Sequence, residues 1–259
     1  MNITDFQYMW RGKQIAPLLS QQAYLLDPID KRGSSHNRAL LLLHGFASSP
    51  AVYRELLPAL TMYDAVVCPV LPGHCISIEA FAKVSARDWV SAAEQACQGL
   101  VRDYQTVDVL GLSLGGLLAC HLSHHFTLNH LYLLAPALSL KQNVNVTLLG
   151  ARILQYLGFK SLPNHAGNIH TSQFQELTYR RLPITTIIEI LTLIKNVEFT
   201  PPSCPVDLFL GRFDEVVDSA LVAKKFANQA NTQIHWLDNS AHVLPLDGDI
   251  ETILACLRL

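Results

Sequence analysis

Ser113 is the residue of this chain with the clearest capacity for chemistry. It is the centre of the sequence GLSLG at positions 111–115, which follows the apolar run 107–110 and opens a stretch with helical periodicity. A strand-to-helix turn this tight needs glycines beside the serine, and it lifts the hydroxyl clear of the sheet in a strained conformation. The pattern indicates a nucleophile elbow, although an ordinary strand-to-helix turn can have the same composition.

Ser113 needs a general base, because a serine hydroxyl is a weak nucleophile at neutral pH. Of the eleven histidines, His242 is the best placed, since it lies between the last predicted strand and the last predicted helix. In a parallel sheet that loop reaches the same edge as the elbow. A purely structural loop histidine is the alternative. His121, His124 and His125 follow the elbow on its own helix, where the spacing supplies no partners for a metal site and predicts a solvated helix end.

The base needs a carboxylate that fixes its tautomer and stabilises the imidazolium. Asp214 follows the apolar run 206–210 and a glycine, and it precedes a predicted helix, so it is the first candidate. Asp214 could instead be only the N-cap of that helix. Asp218 is the next candidate for the acid, and Glu215 also competes.

An acyl-transfer site also needs hydrogen-bond donors where negative charge develops on the substrate oxygen. Leu114, directly after the serine, offers a backbone N–H at a helix start. The second donor is expected from the loop after the strand 40–43, where Gly45 permits a close turn and Phe46 carries the N–H. His44 in the same loop is expected to be structural rather than catalytic.

Composition narrows the class of protein. The chain has 259 residues, of which 50% are hydrophobic and 15% charged, so it is long enough for one globular α/β domain with an insertion. A net charge of −2 without a block of Lys or Arg argues against a nucleic-acid or anionic-membrane footprint. No secretory signal or transmembrane run is expected. Six cysteines without a C-x-x-C pair predict a reducing cytoplasm, and no metal or organic cofactor is implied.

Short apolar runs alternate with helical segments along most of the chain. The runs predict strands at 40–43, 65–70, 107–110, 131–135, 206–210 and 232–237. The segments between them predict helices at 52–60, 86–104, 114–126, 216–230 and 250–257. Near-continuous apolar strands alternating with helices indicate an α/β fold, with a mostly parallel sheet that helices cover on both faces.

The alternation breaks once, between 136 and 205. No strand is predicted there, and helices are expected at 147–157, 173–182 and 185–197. This length exceeds an ordinary connection, so residues 136–204 are predicted to be a helical cap insertion at the ligand-binding edge of a core formed by 1–135 and 205–259. Most of its Leu and Ile side chains should be core, with a few facing substrate. Before residue 38 we expect a short strand at 23–26 and a polar loop at 30–38, and we assign them no function.

Several motifs together resemble the α/β-hydrolases, and in particular the small bacterial carboxylesterases and monoacylglycerol lipases. They are HGF at 44–46, PGH at 72–74, GLSLGG at 111–116, Asp214 and SAHV at 240–243. The order Ser113, Asp214, His242 is the nucleophile, acid, base order of that fold. The chain departs from the usual pattern at Cys75 and Ala241, where glycine is common.

The resemblance implies a catalytic triad of Ser113, Asp214 and His242, an oxyanion hole formed by the N–H groups of Phe46 and Leu114, and a helical cap that shapes an acyl pocket. The expected activity is hydrolysis of carboxylic esters with an apolar acyl group, such as monoacylglycerols. The same triad could act on an acyl thioester or a carbon–carbon bond. A non-catalytic ligand-binding member of the fold is the alternative outside enzymes, and small molecules are the expected partners.

Overall fold

The computed structural model describes residues 1–10, 13–164 and 167–257. The strands in chain order are β1 (Phe6–Trp10), β2 (Lys13–Pro17), β3 (Ile29–Arg32), β4 (Arg38–Leu43), β5 (Ala65–Cys68), β6 (Thr106–Leu112), β7 (His130–Leu134), β8 (Ser161–Pro163), β9 (Glu176–Tyr179), β10 (Arg181–Pro183), β11 (Val206–Gly211) and β12 (Thr232–Leu237). The α-helices are α1 (Ile78–Phe81), α2 (Ala86–Asp103), α3 (Leu114–Ser123), α4 (Val144–Tyr156), α5 (Ile184–Asn196), α6 (Ser219–Phe226) and α7 (Ile250–Leu257).

A seven-stranded sheet with the order β12-β11-β7-β6-β4-β5-β3 forms the centre of the fold. Its strands are parallel except for β3, which pairs antiparallel with β5 at one edge. Buried apolar side chains lie on both faces of the sheet, as the continuous hydrophobicity of the strands requires. The register pairs Leu43 with Gly111 and Gly211 with Leu237. The loops that follow β4, β6, β11 and β12 therefore meet at one edge.

The predicted α/β fold is confirmed, with differences at the periphery. The segment 23–26 is not a strand but part of a 3-10 helix, Ser20–Leu26, and the expected polar loop contains β3. The expected helix 52–60 is replaced by two 3-10 turns, Pro50–Tyr53 and Leu57–Ala59. Pro58 lacks the N–H that an α-helix needs in mid-course, which accounts for the interruption.

The insertion (residues 136–204) contains α4 and α5 but also three short strands. The prediction of a helix at 173–182 is wrong, because β9 and β10 occupy that segment. β9 pairs antiparallel with β1, with Phe6 opposite Tyr179 and Met9 opposite Glu176. The partner strand lies far away in sequence, so local periodicity could not reveal this pairing. The division of the chain at 136 and 205 stays a prediction, and residues 6–10 associate with the insertion.

Of the helices in the described part of the chain, none is both long and apolar enough to cross a membrane. The longest, α2, is instead a surface helix with one buried face, on which Trp89, Ala93, Cys97 and Leu100 lie.

Candidate active site

Ser113 lies between the end of β6 and the start of α3, with φ 54° and ψ −110°. A positive φ is costly for a residue with a side chain, so the surrounding hydrogen bonds must hold it. The Ser113 N–H donates to the Leu134 carbonyl at 2.9 Å, and the Ser113 carbonyl accepts from Ala137 N–H at 3.0 Å. This is the strained turn that the sequence predicts at 111–115.

Gly115 allows α3 to approach β4 closely. A Cβ atom at this position would overlap the backbone carbonyl of Leu43, whereas a Cβ on Gly99 in α2 would meet no atom within 4 Å. We therefore expect Gly115→Ala to lower the free energy of unfolding by about 3 kcal/mol or more. Gly99→Ala, the matched control, should raise it by about 1 kcal/mol, since alanine is the better helix former. Urea denaturation measures both, and equal effects would contradict the close approach at the elbow.

His242 and Asp214 form a buried pair at the same edge of the sheet. His242 Nδ1 lies 2.9 Å from Asp214 Oδ2, and this carboxylate fixes Nδ1 as the protonated ring nitrogen. Nε2 is then the unprotonated nitrogen that can accept a proton. The other Asp214 oxygen accepts N–H groups from Val216 and Val217, both at 2.8 Å. The carboxylate is thus held from two sides.

The competing acids have other positions. Asp218, not Asp214, is the N-cap of α6, because its side chain accepts the Leu221 N–H at 3.0 Å. Glu215 lines the cavity beside Ser113. Its backbone N–H donates to the Asn168 side chain at 3.2 Å. Of the three acids, the structure brings only Asp214 into contact with His242.

The pair stabilises the ionised form of both groups. Burial lowers the pKa of His242, but the Asp214 carboxylate and, to a lesser degree, Glu176 raise it, so that the net shift is upward from its usual value. Burial raises the pKa of Asp214, but the His242 charge and hydrogen bonds lower it below its usual value. An imidazolium that forms during proton transfer would therefore be stabilised here.

The loop that carries Phe46 is held by two neutral histidines. His44 Nε2 accepts the Leu71 N–H at 3.1 Å, and His74 Nε2 accepts the Ala47 N–H at 3.1 Å. Burial lowers the pKa of His44 to about 4, so it stays uncharged. His44 therefore has the structural position expected from the sequence. Cys75, where glycine is common, adopts a positive φ of 59°, which accounts for that preference.

A cavity of about 510 Å³ opens beside Ser113. Phe46, Leu114 and His242 also line it, and so do Ile187, Ile190 and Leu191 of α5. The apolar part of the wall also includes Leu162, Leu182 and Ile194. A volume of this size suits a ligand of several hundred daltons with apolar parts.

Glu176 is a cavity residue that the sequence reasoning missed. Its side chain lies in the interior, and burial raises its pKa to about 7, while the charge of His242 partly offsets this effect. Its carboxylate lies against Gly167, where an added Cβ atom would come within 3.1 Å of Oε2. Glu176 belongs to β9, which was predicted as part of a helix, so no signal in the sequence placed it near the serine.

Two further residues tie the loops of Asp214 and His242 to the insertion. The Asn168 carbonyl accepts the N–H of His242 at 3.0 Å, while its side chain donates to the Phe213 carbonyl at 2.8 Å. Buried Asp247 accepts N–H groups from His170 at 2.7 Å and from Ala241 at 2.8 Å. The loop carrying His242 is therefore fixed against residues 168–171.

Two groups of side chains in the described part of the chain could hold a metal ion, and both lie outside the cavity. Glu94 brings a carboxylate to 2.7 Å from His121 Nε2, with His125 nearby, although the sequence spacing shows no such partner. The other group is Asp207, His235 and Cys256.

Comparison with known proteins places this arrangement in a family. Residues 40–252 match the model of the alpha/beta hydrolase family. The thermostable monoacylglycerol lipase of Bacillus sp. (strain H-257) is 27% identical over 224 residues, which cover 83% of this chain and 86% of that protein. A carboxylesterase of Bacillus subtilis (strain 168) is 21% identical over 224 residues, covering 84% and 89%.

Solved structures agree with the sequence comparison. A structure from the work on LipS and LipT, two metagenome-derived lipolytic enzymes, superposes with a TM-score of 0.80 at 25% identity, covering 90% of this chain and 97% of that one. The monoacylglycerol lipase of Paleococcus ferrophilus shares the fold with a TM-score of 0.71 at 16% identity, covering 90% and 98%. The chain therefore belongs to the alpha/beta hydrolase family, as an enzyme of the lipase and esterase type.

Proposed function

We propose that this protein is a serine hydrolase that cleaves carboxylic esters with an apolar acyl chain, through an acyl-enzyme on Ser113. The observation that carries the proposal is the buried Asp214–His242 pair, whose histidine lines one cavity together with a strained serine. Carboxylesterase and monoacylglycerol lipase are the activities nearest to this description. The six free cysteines fit a reducing compartment such as the cytoplasm.

The reaction begins when His242 Nε2 takes the proton of the Ser113 hydroxyl as its oxygen attacks the ester carbonyl. The N–H groups of Phe46 and Leu114 donate to the oxyanion that forms; Leu114 is the first residue of α3, where an N–H has no partner within its helix. His242 then gives its proton to the leaving alcohol. Water, deprotonated by His242, hydrolyses the acyl-enzyme, releasing the carboxylic acid and restoring the serine.

The cavity wall supports an apolar acyl group. Most of its isoleucines and leucines come from α5 and from the segments around β8 and β10. An alkyl chain that leaves water for such a wall gains about 0.8 kcal/mol per buried methylene. The insertion thus sets the acyl preference in this proposal.

The polar side chains in the cavity wall favour an alcohol part with free hydroxyl groups. Glu176 lies near His242, and Gln142 and Asn168 also line the cavity. A carboxylate that is buried and close to the leaving group can accept hydrogen bonds from a polyol such as glycerol. A monoacylglycerol therefore fits this proposal better than a simple alkyl ester.

We expect Glu176→Gln to raise KM for a monoacylglycerol about tenfold while changing KM for the matching ethyl ester little. The acid limb of kcat/KM should move to lower pH. The ionised carboxylate, present above about 7, raises the pKa of His242, and glutamine removes that charge. Steady-state kinetics on both esters from pH 5 to 9 measures these effects. Equal losses on both esters would contradict a role toward the alcohol.

The direct test of the proposed function uses a panel of substrates and an active-site probe. Purified protein should hydrolyse p-nitrophenyl esters and monoacylglycerols, and a fluorophosphonate should label Ser113, as found by mass spectrometry of the peptide. Hydrolysis of acyl-coenzyme A in preference to these esters would favour a thioesterase instead. Absence of both labelling and hydrolysis would favour a non-catalytic ligand-binding protein.

A further inference from the structure

One surface of the insertion exposes a concentrated set of large apolar side chains. Six such side chains within and just after α4 are half or more exposed: Val146, Leu149, Ile153, Tyr156, Leu157 and Phe159. We call these six residues the α4 patch. The other exposed large apolar residues of the described chain are spread along it, from Met1 to Leu221. Scattered ones are ordinary on a globular protein, whereas a contiguous apolar patch marks an interaction site.

Helix geometry places the patch on one side of α4. At 100° per residue, positions 146, 149, 153, 156 and 157 fall within an arc of about 100°. The buried residues of α4, Leu148 and Ala151, lie on the opposite side. A surface helix ordinarily has an apolar inner face and a polar outer face. α4 is apolar on both, so its outer face is not explained by packing within the chain.

The patch lies close to the cavity. α4 packs against α5, whose isoleucines line the cavity. Thr147, a neighbour of Val146 on α4, also lines it. The same helix therefore has a residue in the cavity wall and an apolar stripe facing outward.

The charge of the segment that carries the patch is of one sign. Residues 136–175 contain Lys141, Arg152 and Lys160 but no Asp or Glu, although the whole chain has a net charge of −2. All three cations are exposed. The acid in the middle of α5, Glu189, accepts the N–H of Ala86 at 2.8 Å and is thereby directed toward α2. The net charge of the chain hides this local excess of cations.

We propose that the α4 patch docks the protein on a phospholipid bilayer that contains anionic lipids. An apolar stripe bordered by cations is the pattern of a helix that lies in the interfacial plane, with its apolar side chains in the acyl region and its cations at the headgroups. Docking by itself is independent of the catalytic activity. Delivery of a bilayer-dissolved ester to the cavity rests on the proposed function.

Vesicle flotation tests the docking. The patch variant carries Leu149→Ser, Ile153→Ser and Tyr156→Ser. The control carries Leu19→Ser, Tyr24→Ser and Leu221→Ser, which are also about half exposed or more but lie elsewhere. Wild type and control should float with phosphatidylcholine–phosphatidylglycerol vesicles, and the patch variant should bind at least roughly tenfold more weakly.

A second variant tests the cationic border. Arg152→Gln with Lys160→Gln should weaken binding to the phosphatidylglycerol vesicles and leave the weaker binding to pure phosphatidylcholine vesicles unchanged. All variants should keep the wild-type thermal midpoint and the wild-type rate on a water-soluble short-chain p-nitrophenyl ester, because none of these residues lines the cavity.

Three outcomes would overturn the proposal. The first is that the wild type binds neither kind of vesicle, and the second is that the control variant loses as much binding as the patch variant. The third is a wild-type dimer in analytical ultracentrifugation that is absent in the patch variant, which would assign the patch to self-association. Binding without any ester hydrolysis would sustain the docking and refute the proposed function. Hydrolysis of soluble esters without binding to vesicles would sustain the proposed function and refute the docking.

Discussion

Replacement of Ser113 by alanine should lower kcat for ester hydrolysis by roughly 10⁴-fold or more. Alanine lacks the oxygen that forms the acyl-enzyme, and no other hydroxyl is held in the strained position between β6 and α3. The remaining oxyanion donors can still polarise a bound ester, so a trace of activity is expected to survive. Labelling by a fluorophosphonate should be lost altogether. Initial rates on a p-nitrophenyl ester and intact-protein mass after the probe measure the two effects.

The control for Ser113→Ala is a measurement of thermal stability, which shows whether the variant keeps the fold. A side chain that loses one oxygen while its backbone hydrogen bonds to Leu134 and Ala137 persist should leave the thermal midpoint close to that of the wild type. If the variant kept both its stability and its activity, the assignment of Ser113 as the nucleophile would be wrong.

Asp214→Asn should lower kcat by about 10⁴-fold while keeping the fold. The asparagine oxygen can still accept the N–H groups of Val216 and Val217. Its NH₂ group, however, would donate to His242 Nδ1, which moves the ring proton to Nε2 and blocks acceptance of the serine proton. The carboxylate also raises the pKa of His242, so its loss should shift the acid limb of the remaining activity to lower pH.

Asp218→Asn is the matched control for that prediction. Asp218 caps α6, and asparagine is as good an N-cap as aspartate, so both stability and kcat should change little. A pH–rate profile and a urea unfolding curve on both variants provide the comparison. If Asp218→Asn lost as much activity as Asp214→Asn, the choice between the two acids would be wrong.

The sequence predicts the sheet and its functional edge because local patterns determine them. Short segments rich in apolar residues mark β4, β6, β7, β11 and β12, and parallel pairing then brings their carboxyl ends to one edge. The positions of Ser113, Asp214 and His242 follow from that topology. Their roles in the reaction stay predictions that the two substitutions above test.

The residues that the sequence could not place depend on contacts between distant segments. Glu176 reaches the cavity because β9 pairs with β1, and no periodicity within either segment shows that pairing. Asn168 holds the loop of His242 through hydrogen bonds. The sequence could not predict them, because Asn168 is a single polar residue in a long insertion. Short strands of three or four residues also look like helix or loop when their partners are unknown.

The pairing of β1 with β9 makes the first residues of the chain a structural part of the insertion. The Phe6 ring packs against the Tyr179 ring, with centroids 4.5 Å apart and a tilt of 36°, and the backbone N–H of Arg180 donates to the Asp5 carbonyl at 2.7 Å. A chimaera that exchanges residues 136–204 with those of a relative, to alter acyl preference, would leave β1 without its partner unless the N-terminal strand travels with them. The unit of exchange in this protein is therefore discontinuous: it consists of two stretches of chain, one at each side of β4 to β7.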